Sequence, residues 1–256
     1  MPAFAGMTDE AQTRSLPQRR SEFCGTAILG HELHEQVKLL REIRVIRGKR
    51  ERMTKSPFRI GIAGGSASGK STLATTIVAE LSRREPDLRA QVMSADSYFR
   101  YDAPDMPTFI LSSTGEELPD WNQLNSIDYA RLTADLDKRS ADDAPDVLIV
   151  EGLMILYVPE LRERFDLRLF VELDADERAL RRMVRNIYRE DDPITKNDPR
   201  LIAQYYLDSA REGHARYVEP TRVYADLILR GDGDFGRTAA SVADIILTRL
   251  RAGVAV

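Results

Sequence analysis

The chain contains a single cysteine, Cys24, among its 256 residues. One cysteine excludes an internal disulfide framework and is typical of a reducing compartment. No apolar run approaches the ~20 residues that a membrane-spanning helix needs. The amino terminus also lacks the basic and then apolar segments of a secretory signal. These absences predict a cytoplasmic protein with no membrane partner.

Histidine is also scarce, with three residues in the chain. Because there is one cysteine as well, the sequence offers no histidine and cysteine cluster for zinc. His214 lies on a predicted helix far from the other two histidines, and we interpret it as a structural or surface residue.

The net charge is −4, with +3 in residues 1–52 and −7 in residues 53–256. An acidic body argues against a nucleic-acid partner. Basic residues that lie close to a candidate site in this body therefore need a specific explanation.

The first 52 residues differ from the rest of the chain. Residues 1–30 show no periodicity, whereas a basic helical pattern runs from His31 to about Met53. This pattern indicates either a solvated, partly formed helix or an amphipathic arm for a membrane surface or an acidic partner. Translation starting at Met53 is a third interpretation. We therefore divide the chain into a poorly ordered or helical extension, 1–52, and one domain, 53–256.

The segment Gly64–Thr72 reads GGSASGKST and fits the phosphate-loop pattern G-x-x-x-x-G-K-[ST]. It follows an apolar run, Phe58–Ala63, that predicts a buried strand, and it opens a helical pattern. Backbone N–H groups and the positive end of the helix dipole would then face a phosphate. The alternative is an ordinary glycine turn between a strand and a helix.

Within this loop, Lys70 is predicted to reach the β- and γ-phosphates of a nucleoside triphosphate, and the Ser71 hydroxyl is predicted to bind Mg²⁺. The cofactors that we expect are ATP and Mg²⁺. The predicted nucleotide-binding residues are Gly64, Gly65, Ser66, Ala67, Ser68, Gly69, Lys70, Ser71 and Thr72.

Strand and helix patterns alternate after the loop, which predicts an α/β fold with a parallel sheet. The predicted strands are Phe58–Ala63, Ala90–Ser94, Val147–Val150, Leu167–Val171 and Asp226–Leu229. The predicted helices cover 70–84, 127–139, 175–189, 199–217 and 237–251. Two irregular stretches remain, a long loop from Tyr101 to Asn122 and a shorter one from Glu190 to Pro199.

Two acidic residues follow predicted strands. Asp96 comes directly after the second strand, and Glu151 ends the third. Ligands of open α/β sheets bind at the carboxyl ends of strands. Asp96 is therefore a candidate to accept a proton from a substrate hydroxyl or to hold Mg²⁺ through water, and Glu151 is a candidate for the metal. The alternatives are a cap of the following turn for Asp96 and a turn residue for Glu151.

A predicted helix before the second irregular stretch carries five arginines. Arg182 and Arg185 are three apart and share a helix face, where they would close over the triphosphate and stabilise charge in the transition state. A solvated helix face is the alternative for both. We interpret Arg178 and Arg181 as solvated.

Several segments, in order, resemble uridine kinases of the phosphoribulokinase/uridine kinase group of P-loop kinases. They are GGSASGKST, SADSYFR (94–100), LIVEGLMIL (148–156), RRMVRN (181–186), QYY (204–206) and PTRVYADLIL (220–229). The resemblance implies the P-loop NTPase fold, with three layers αβα, a five-stranded parallel sheet, flanking helices and a lid.

The resemblance also implies roles for individual residues. Asp96 corresponds to the family's catalytic base, and Ser71, Asp96 and Glu151 lie around the magnesium. Lys70, Arg182 and Arg185 complete the predicted catalytic set. The residues implied on the substrate side are Tyr98 (with Phe99), Trp121, Asn122 and Gln204, and the segment implied near the adenine contains Arg230 and Gly231.

The chain departs from uridine kinases in two places. Asn122 takes the place of the acid that reads the ribose hydroxyls, unless Asp120 substitutes for it. The stretch between Leu136 and Val147 is too short and polar for the family's base-reading hairpin, and in this the chain resembles nicotinamide riboside kinases. Trp121, the only tryptophan, either offers a stacking face for a ring or packs the loop.

We therefore expect ATP- and Mg²⁺-dependent phosphorylation of the 5′-hydroxyl of a nucleoside, with uridine or cytidine first. Nicotinamide riboside is the second candidate, and a sugar phosphate or a pantothenate-like alcohol is the third. An ATP-binding sensor without kinase activity is the alternative from another class. The family often forms homo-oligomers, so one is an open expectation.

Overall fold

The computed structural model describes Lys38 and residues 56–141, 144–189, 195 and 197–252. Contacts divide the chain into two units, Met1–Glu51 and Arg52–Val256. The predicted extension over residues 1–52 lies outside the described residues apart from Lys38. Its order and the start at Met53 therefore stay predictions, and the description below concerns the second unit.

Five parallel strands form the central sheet, in the order β2-β5-β1-β6-β7, and β3 and β4 form a separate antiparallel hairpin. The strands are β1 (Phe58–Gly64), β2 (Ala90–Ser94), β3 (Thr108–Ile110), β4 (Glu117–Pro119), β5 (Val147–Glu151), β6 (Leu167–Glu172) and β7 (Leu227–Arg230). The five predicted strands are confirmed. The three central strands, β5, β1 and β6, were predictable because a strand that is buried on both faces reads as a continuous apolar run.

Seven α-helical segments lie in the described residues. They are α1 (Lys70–Arg84), α2 (Tyr129–Ala141), α3 (Pro159–Arg162), α4 (Ala175–Ile187), α5 (Pro199–Tyr205), α6 (Arg211–Gly213) and α7 (Phe235–Ala252). The predicted helix 199–217 is not uniform, since π-helical segments Tyr206–Ala210 and His214–Val218 interrupt it. None of the described helices has the length and apolar character needed to cross a membrane.

The core has two halves, one on each face of the sheet. Ile60 and Ile149 pack on one face with α1 and α7, and Leu148 and Val150 pack on the other face with α2 and the segment around Tyr217. Successive strand residues point to opposite faces, so helices cover both sides. The fold is therefore the predicted α/β architecture, with three layers αβα.

The stretch from Tyr101 to Asn122 was predicted as a loop, and this is wrong in part because it contains the β3–β4 hairpin. Phe109 packs edge-on against Tyr205, with ring centroids 5.2 Å apart, and the backbone N–H of Ser112 donates to Asp208 at 2.8 Å. Strands of three residues are too short for a hydrophobic period to reveal them. Contacts with α5 and the segment after it stabilise the hairpin.

Candidate active site

The phosphate loop joins β1 to α1 and depends on two glycines with positive φ. Gly64 has φ 145° and Gly69 has φ 100°. A Cβ at Gly64 would lie 2.4 Å from the carbonyl oxygen of Val171, and one at Gly69 would lie 2.4 Å from Cζ of Phe235. The backbone therefore excludes side chains at both positions, and the predicted loop opens a helix of 15 residues.

Lys70 is the buried cation of this loop. Its side chain is 8% exposed, and Nζ donates to the carbonyl oxygen of Gly65 at 3.0 Å. Burial lowers the pKa of Lys70, while the charges of Glu151 and Asp96 raise it. Ser71 is exposed in the first turn of α1. The lysine thus lies within electrostatic reach of both predicted strand-end acids.

A cavity of about 910 Å³ lies over this loop. It brings together most of the predicted site residues, namely Ser66, Ala67, Gly69, Lys70, Ser71, Thr72, Asp96, Trp121, Asn122, Glu151, Arg182 and Arg185. Gly64, Gly65 and Ser68 are buried in the loop behind it. The volume is typical of a site for small ligands.

Two carboxylates enter the cavity from neighbouring strands. Asp96 is exposed on the short 3₁₀ segment Ala95–Tyr98 that follows β2, and Glu151 is 5% exposed at the end of β5. The hydroxyl of Ser94 donates to Oε1 of Glu151 at 2.6 Å. Ser94 and Glu151 are also paired in register across β2 and β5. The sequence interpretation did not identify Ser94.

The described residues contain no group of three or more His, Cys, Asp or Glu side chains that would hold a metal ion by themselves. Ser71, Asp96 and Glu151 instead offer one hydroxyl and two carboxylates on the same cavity. Mg²⁺ prefers oxygen ligands and usually binds through one or two carboxylates together with water and substrate phosphates. The donor set therefore fits Mg²⁺ that arrives with a nucleotide.

Helix α4 carries four arginines near the phosphate loop. The guanidinium of Arg185 donates to Oγ of Ser66 at 3.3 Å, and that of Arg182 lies 4.9 Å from the ring centroid of Tyr205. Arg181 lines the cavity and donates to the carbonyl oxygen of Gly231 at 2.8 Å. Arg178 is buried, with 7% of its surface exposed. The interpretation of Arg178 as solvated is therefore wrong, because Arg178 is buried where α4 packs on the loop. Arg181 is partly solvated, with 38% of its side chain exposed.

Three aromatic rings form the wall beside Asp96. Trp121 lies 5.1 Å from Phe99 and 4.8 Å from Tyr101 between ring centroids, and all three residues line the cavity. Trp121 therefore both packs its loop and faces the site. Such a wall suits a flat ring, since aromatic faces stack with planar groups.

Asn122 lines the cavity next to Trp121, and hydrogen bonds from its amide nitrogen fix its side chain. Nδ2 donates to Oγ of Ser209 at 2.8 Å and to the hydroxyl of Tyr205 at 3.2 Å. Asp120 is 3% exposed, and it accepts from the backbone N–H of Asn122 at 3.0 Å and from the Ser209 hydroxyl at 2.6 Å. Asp120 is therefore a buried support, and Asn122 is the residue that reaches the cavity.

Two predicted substrate residues lie elsewhere. Tyr98 is 5% exposed in the core, and its hydroxyl donates to Asp135 at 2.9 Å. The 3₁₀ turn points Tyr98 inward, so its neighbour Phe99 takes the place in the cavity wall. Gln204 donates to Asp208 at 2.9 Å and also bonds Ser112, which ties α5 to the hairpin. The structure does not place Tyr98 or Gln204 in the cavity wall.

A phosphate loop at the carboxyl edge of a parallel sheet, two strand-end acids and an arginine-bearing helix define the class of P-loop phosphotransferases. The model of the phosphoribulokinase/uridine kinase family matches residues 117–234. The chain belongs to this family, as relatives that are more than 30% identical to it show. It is a phosphotransferase that acts on an alcohol group.

Three of these relatives are proteins named uridine kinase. The one from Deinococcus deserti is 34% identical over 69% of this chain and 89% of the relative. The one from Chloroflexus aurantiacus is 31% identical over 79% of this chain and 98% of the relative. The one from Alkaliphilus metalliredigens is 32% identical over 70% of this chain and 89% of the relative.

Proposed function

We propose that this protein transfers the γ-phosphoryl group of ATP to the 5′-hydroxyl of a nucleoside, with Mg²⁺, and that uridine or cytidine is the first acceptor to test. One observation carries the proposal. The exposed carboxylate of Asp96 shares one cavity with the phosphate loop and with the aromatic wall of Phe99, Tyr101 and Trp121. The cavity thus combines a catalytic base, Asp96, with a binding place for the phosphate donor at the loop and a binding place for a planar acceptor at the aromatic wall.

The residues divide the reaction between them. The loop amides and Lys70 hold the donor phosphates, and Arg182 and Arg185 balance the charge that develops on the transferred group. The acceptor oxygen bonds to the γ-phosphorus, the bond to the bridging oxygen breaks, and ADP leaves. The acceptor's hydroxyl proton passes to Asp96. Because this transition state is largely dissociative, positioning and charge contribute most of the acceleration.

Mg²⁺ would be held by Ser71, Asp96 and Glu151, and it would neutralise charge on the donor phosphates. Glu151 is oriented for this role by its hydrogen bond from Ser94. Asp96 is the more accessible of the two carboxylates, since it is exposed to the cavity. It is therefore the one assigned to the acceptor hydroxyl.

The aromatic wall and the relatives named uridine kinase support a pyrimidine nucleoside. Asn122 is suited to bind the ribose diol without adding a charge. Its Nδ2 is held by the protein, and no described residue donates to its Oδ1, which can therefore accept from a ribose hydroxyl. One observation favours nicotinamide riboside as a second candidate. Helix α2 ends at Ala141 and β5 begins at Val147, which leaves no room for a hairpin beside the acceptor.

The test measures ADP release by the full chain with ATP and Mg²⁺ over a panel of acceptors. The panel contains uridine, cytidine, adenosine, nicotinamide riboside, ribulose 5-phosphate and pantothenate. The Asp96→Asn variant is the control, and it is expected to keep ATP affinity while turnover falls 10²-fold or more. Tight ATP binding without turnover on any acceptor would instead favour an ATP-binding sensor, and near-normal turnover by Asp96→Asn would remove the base assignment.

A further inference from the structure

Arg178 lies against the phosphate loop although the proposed mechanism gives it no role. Its Nε donates to the carbonyl oxygen of Leu173 at 3.0 Å, inside the protein. A Cβ added at Gly65 would lie 2.7 Å from Cδ and 2.8 Å from Nη1 of Arg178. The guanidinium is therefore packed directly on the Gly65 backbone. The absence of a side chain at Gly65 allows this approach.

The charge of Arg178 has no counter-ion within the described part of the chain. No carboxylate there lies within ion-pair distance of its guanidinium, and its only hydrogen bond is to the Leu173 carbonyl. Lys70, the second buried cation, donates only to the carbonyl oxygen of the same Gly65. Buried charges are normally paired, because taking an ion out of water is costly. Lys70 has the charges of Glu151 and Asp96 nearby, so Arg178 is the buried cation of this loop for which the described residues supply no carboxylate partner.

His214 covers Arg178 without supplying that anion. Its Cε1 would lie 3.1 Å from the same Cβ at Gly65, and its Nε2 lies 3.1 Å from Oε2 of Glu219. Burial and the charge of Arg178 lower the pKa of His214 to about 4. The ring is therefore neutral near pH 7, with Nε2 donating to Glu219, and it leaves the charge of Arg178 uncancelled.

The space beneath the loop is too small for the missing anion. Ser66, Arg178, Arg182 and His214 line a chamber of about 10 Å³, which is at most enough to hold one water molecule. A phosphate group does not fit there. The counter-charge must therefore come from the large cavity, which shares Ser66 and Arg182 with this chamber.

We propose that Arg178 is a positioning residue for the phosphate donor, acting through Gly65, and that the donor's phosphates are the counter-charge of its buried guanidinium. The inference rests on the proposed use of a nucleoside triphosphate. In this arrangement the chain keeps an unpaired buried cation, at a cost in stability, and the ligand offsets that cost when it binds.

The test compares Arg178→Met, which removes the charge at similar volume, with Arg178→Lys, which keeps it. Titration calorimetry of the full chain measures the Kd of ATP, ADP, tripolyphosphate and pyrophosphate. Arg178→Met should weaken the binding of ATP and tripolyphosphate at least 10-fold. It should weaken the binding of ADP and pyrophosphate less, because the electrostatic effect grows with ligand charge. Arg178→Lys should recover most of the loss. Arg139→Gln, on the exposed face of α2, is the matched control and should leave all four constants unchanged.

Thermal unfolding separates this role from a structural one. Without ligand, Arg178→Met should unfold at the same temperature as the wild type or higher, because a buried unpaired charge is gone. Its stabilisation by saturating ATP should be smaller, and KM for ATP should rise more than kcat falls. A variant that is unfolded or markedly less stable without ligand would contradict the inference, as would equal losses for all four ligands. If the wild type itself binds no ATP, the proposed function fails; if it binds ATP and Arg178→Met binds it equally well, only this inference fails.

Discussion

The hydroxyl of Ser94 donates a 2.6 Å hydrogen bond to Oε1 of Glu151, and the two residues face each other across β2 and β5. Glu151 is 5% exposed, so its carboxylate has few other ways to be held. A short, charge-assisted bond of this kind fixes which oxygen points into the cavity. With Glu151 in its proposed role of holding Mg²⁺, Ser94 would contribute to metal affinity without contacting the metal.

Replacing Ser94 with Ala should weaken the affinity for Mg²⁺ by about 10-fold, since loss of such a supporting bond typically costs 10- to 100-fold in metal affinity. The measurement is the Mg²⁺ concentration that gives half-maximal binding of ADP. Ser113→Ala, an exposed serine in the hairpin turn, is the control. An unchanged Mg²⁺ requirement in Ser94→Ala would show that Glu151 needs no support, or that it does not serve the metal.

The buried position of Asn122 beside the Asp120 carboxylate requires a side chain that donates hydrogen bonds, as an amide does. Nδ2 lies 3.4 Å from Oδ1 of Asp120, and both side chains are almost fully buried. Asn122→Asp would remove the donors to Tyr205 and Ser209 and would place a second carboxylate beside the first. The free energy of unfolding should fall by about 2–4 kcal/mol at pH 7, as for a buried polar network that loses a partner.

This loss should shrink as the pH falls, because one carboxyl of the pair would have a raised pKa and would become protonated. Urea unfolding at pH 7 and pH 5 measures the effect. Asn125→Asp, an exposed neighbour, adds the same charge and should change stability by less than about 0.5 kcal/mol. Equal stabilities for the two variants would contradict this account of Asn122.

The sequence was sufficient where a local pattern determines the structure. The phosphate loop follows from the spacing of Gly64, Gly69 and Lys70, since the positive φ of the two glycines is a local requirement. Central strands are equally local, because burial on both faces makes them apolar throughout. The two strand-end acids follow from the strands that precede them.

Other features depend on packing between distant segments. The burial of Arg178 reflects how α4 packs on the phosphate loop, and an arginine-rich helix face reads as solvated until that placement is known. The bond from Ser94 depends on the register of β2 with β5. Phe99, and not the predicted Tyr98, lines the cavity because of the direction of one short turn. Hydrophobic periodicity in the sequence does not predict that direction.

Trp121 is the only tryptophan, so its fluorescence reports on the aromatic wall alone. An acceptor ring that stacks there should change the emission, and the titration gives the acceptor's Kd. Tyr101→Ala should weaken that Kd by about 10-fold, since stacking of a base on an aromatic ring is worth ~1–3 kcal/mol. Tyr224→Ala, outside the cavity, should leave it unchanged. An emission that responds to ATP but not to any acceptor would place the acceptor away from this wall.

The buried, neutral imidazole of His214 predicts a loss of stability in mild acid. Burial disfavours its protonation most, Arg178 and Lys70 disfavour it further and Glu219 favours it, and the net effect is a pKa of about 4 in the folded protein. The unfolded chain has a histidine pKa of about 6.5, so between these two values the unfolded state binds more protons. The contribution of neutral His214 to the free energy of unfolding is therefore complete above about pH 6.5 and is lost as the pH falls toward 4.

By pH 5 this single group should have cost about 2 kcal/mol, at 1.36 kcal/mol for each pH unit below 6.5. The measurement is the free energy of unfolding in urea at pH 7 and pH 5 for the wild type and for His214→Gln. Gln keeps a donor for Glu219 but does not titrate, so the variant should lose about 2 kcal/mol less than the wild type between the two pH values. The same pH dependence in both proteins would mean that His214 is protonated in the folded state, and the charge balance around Arg178 would then have to be revised.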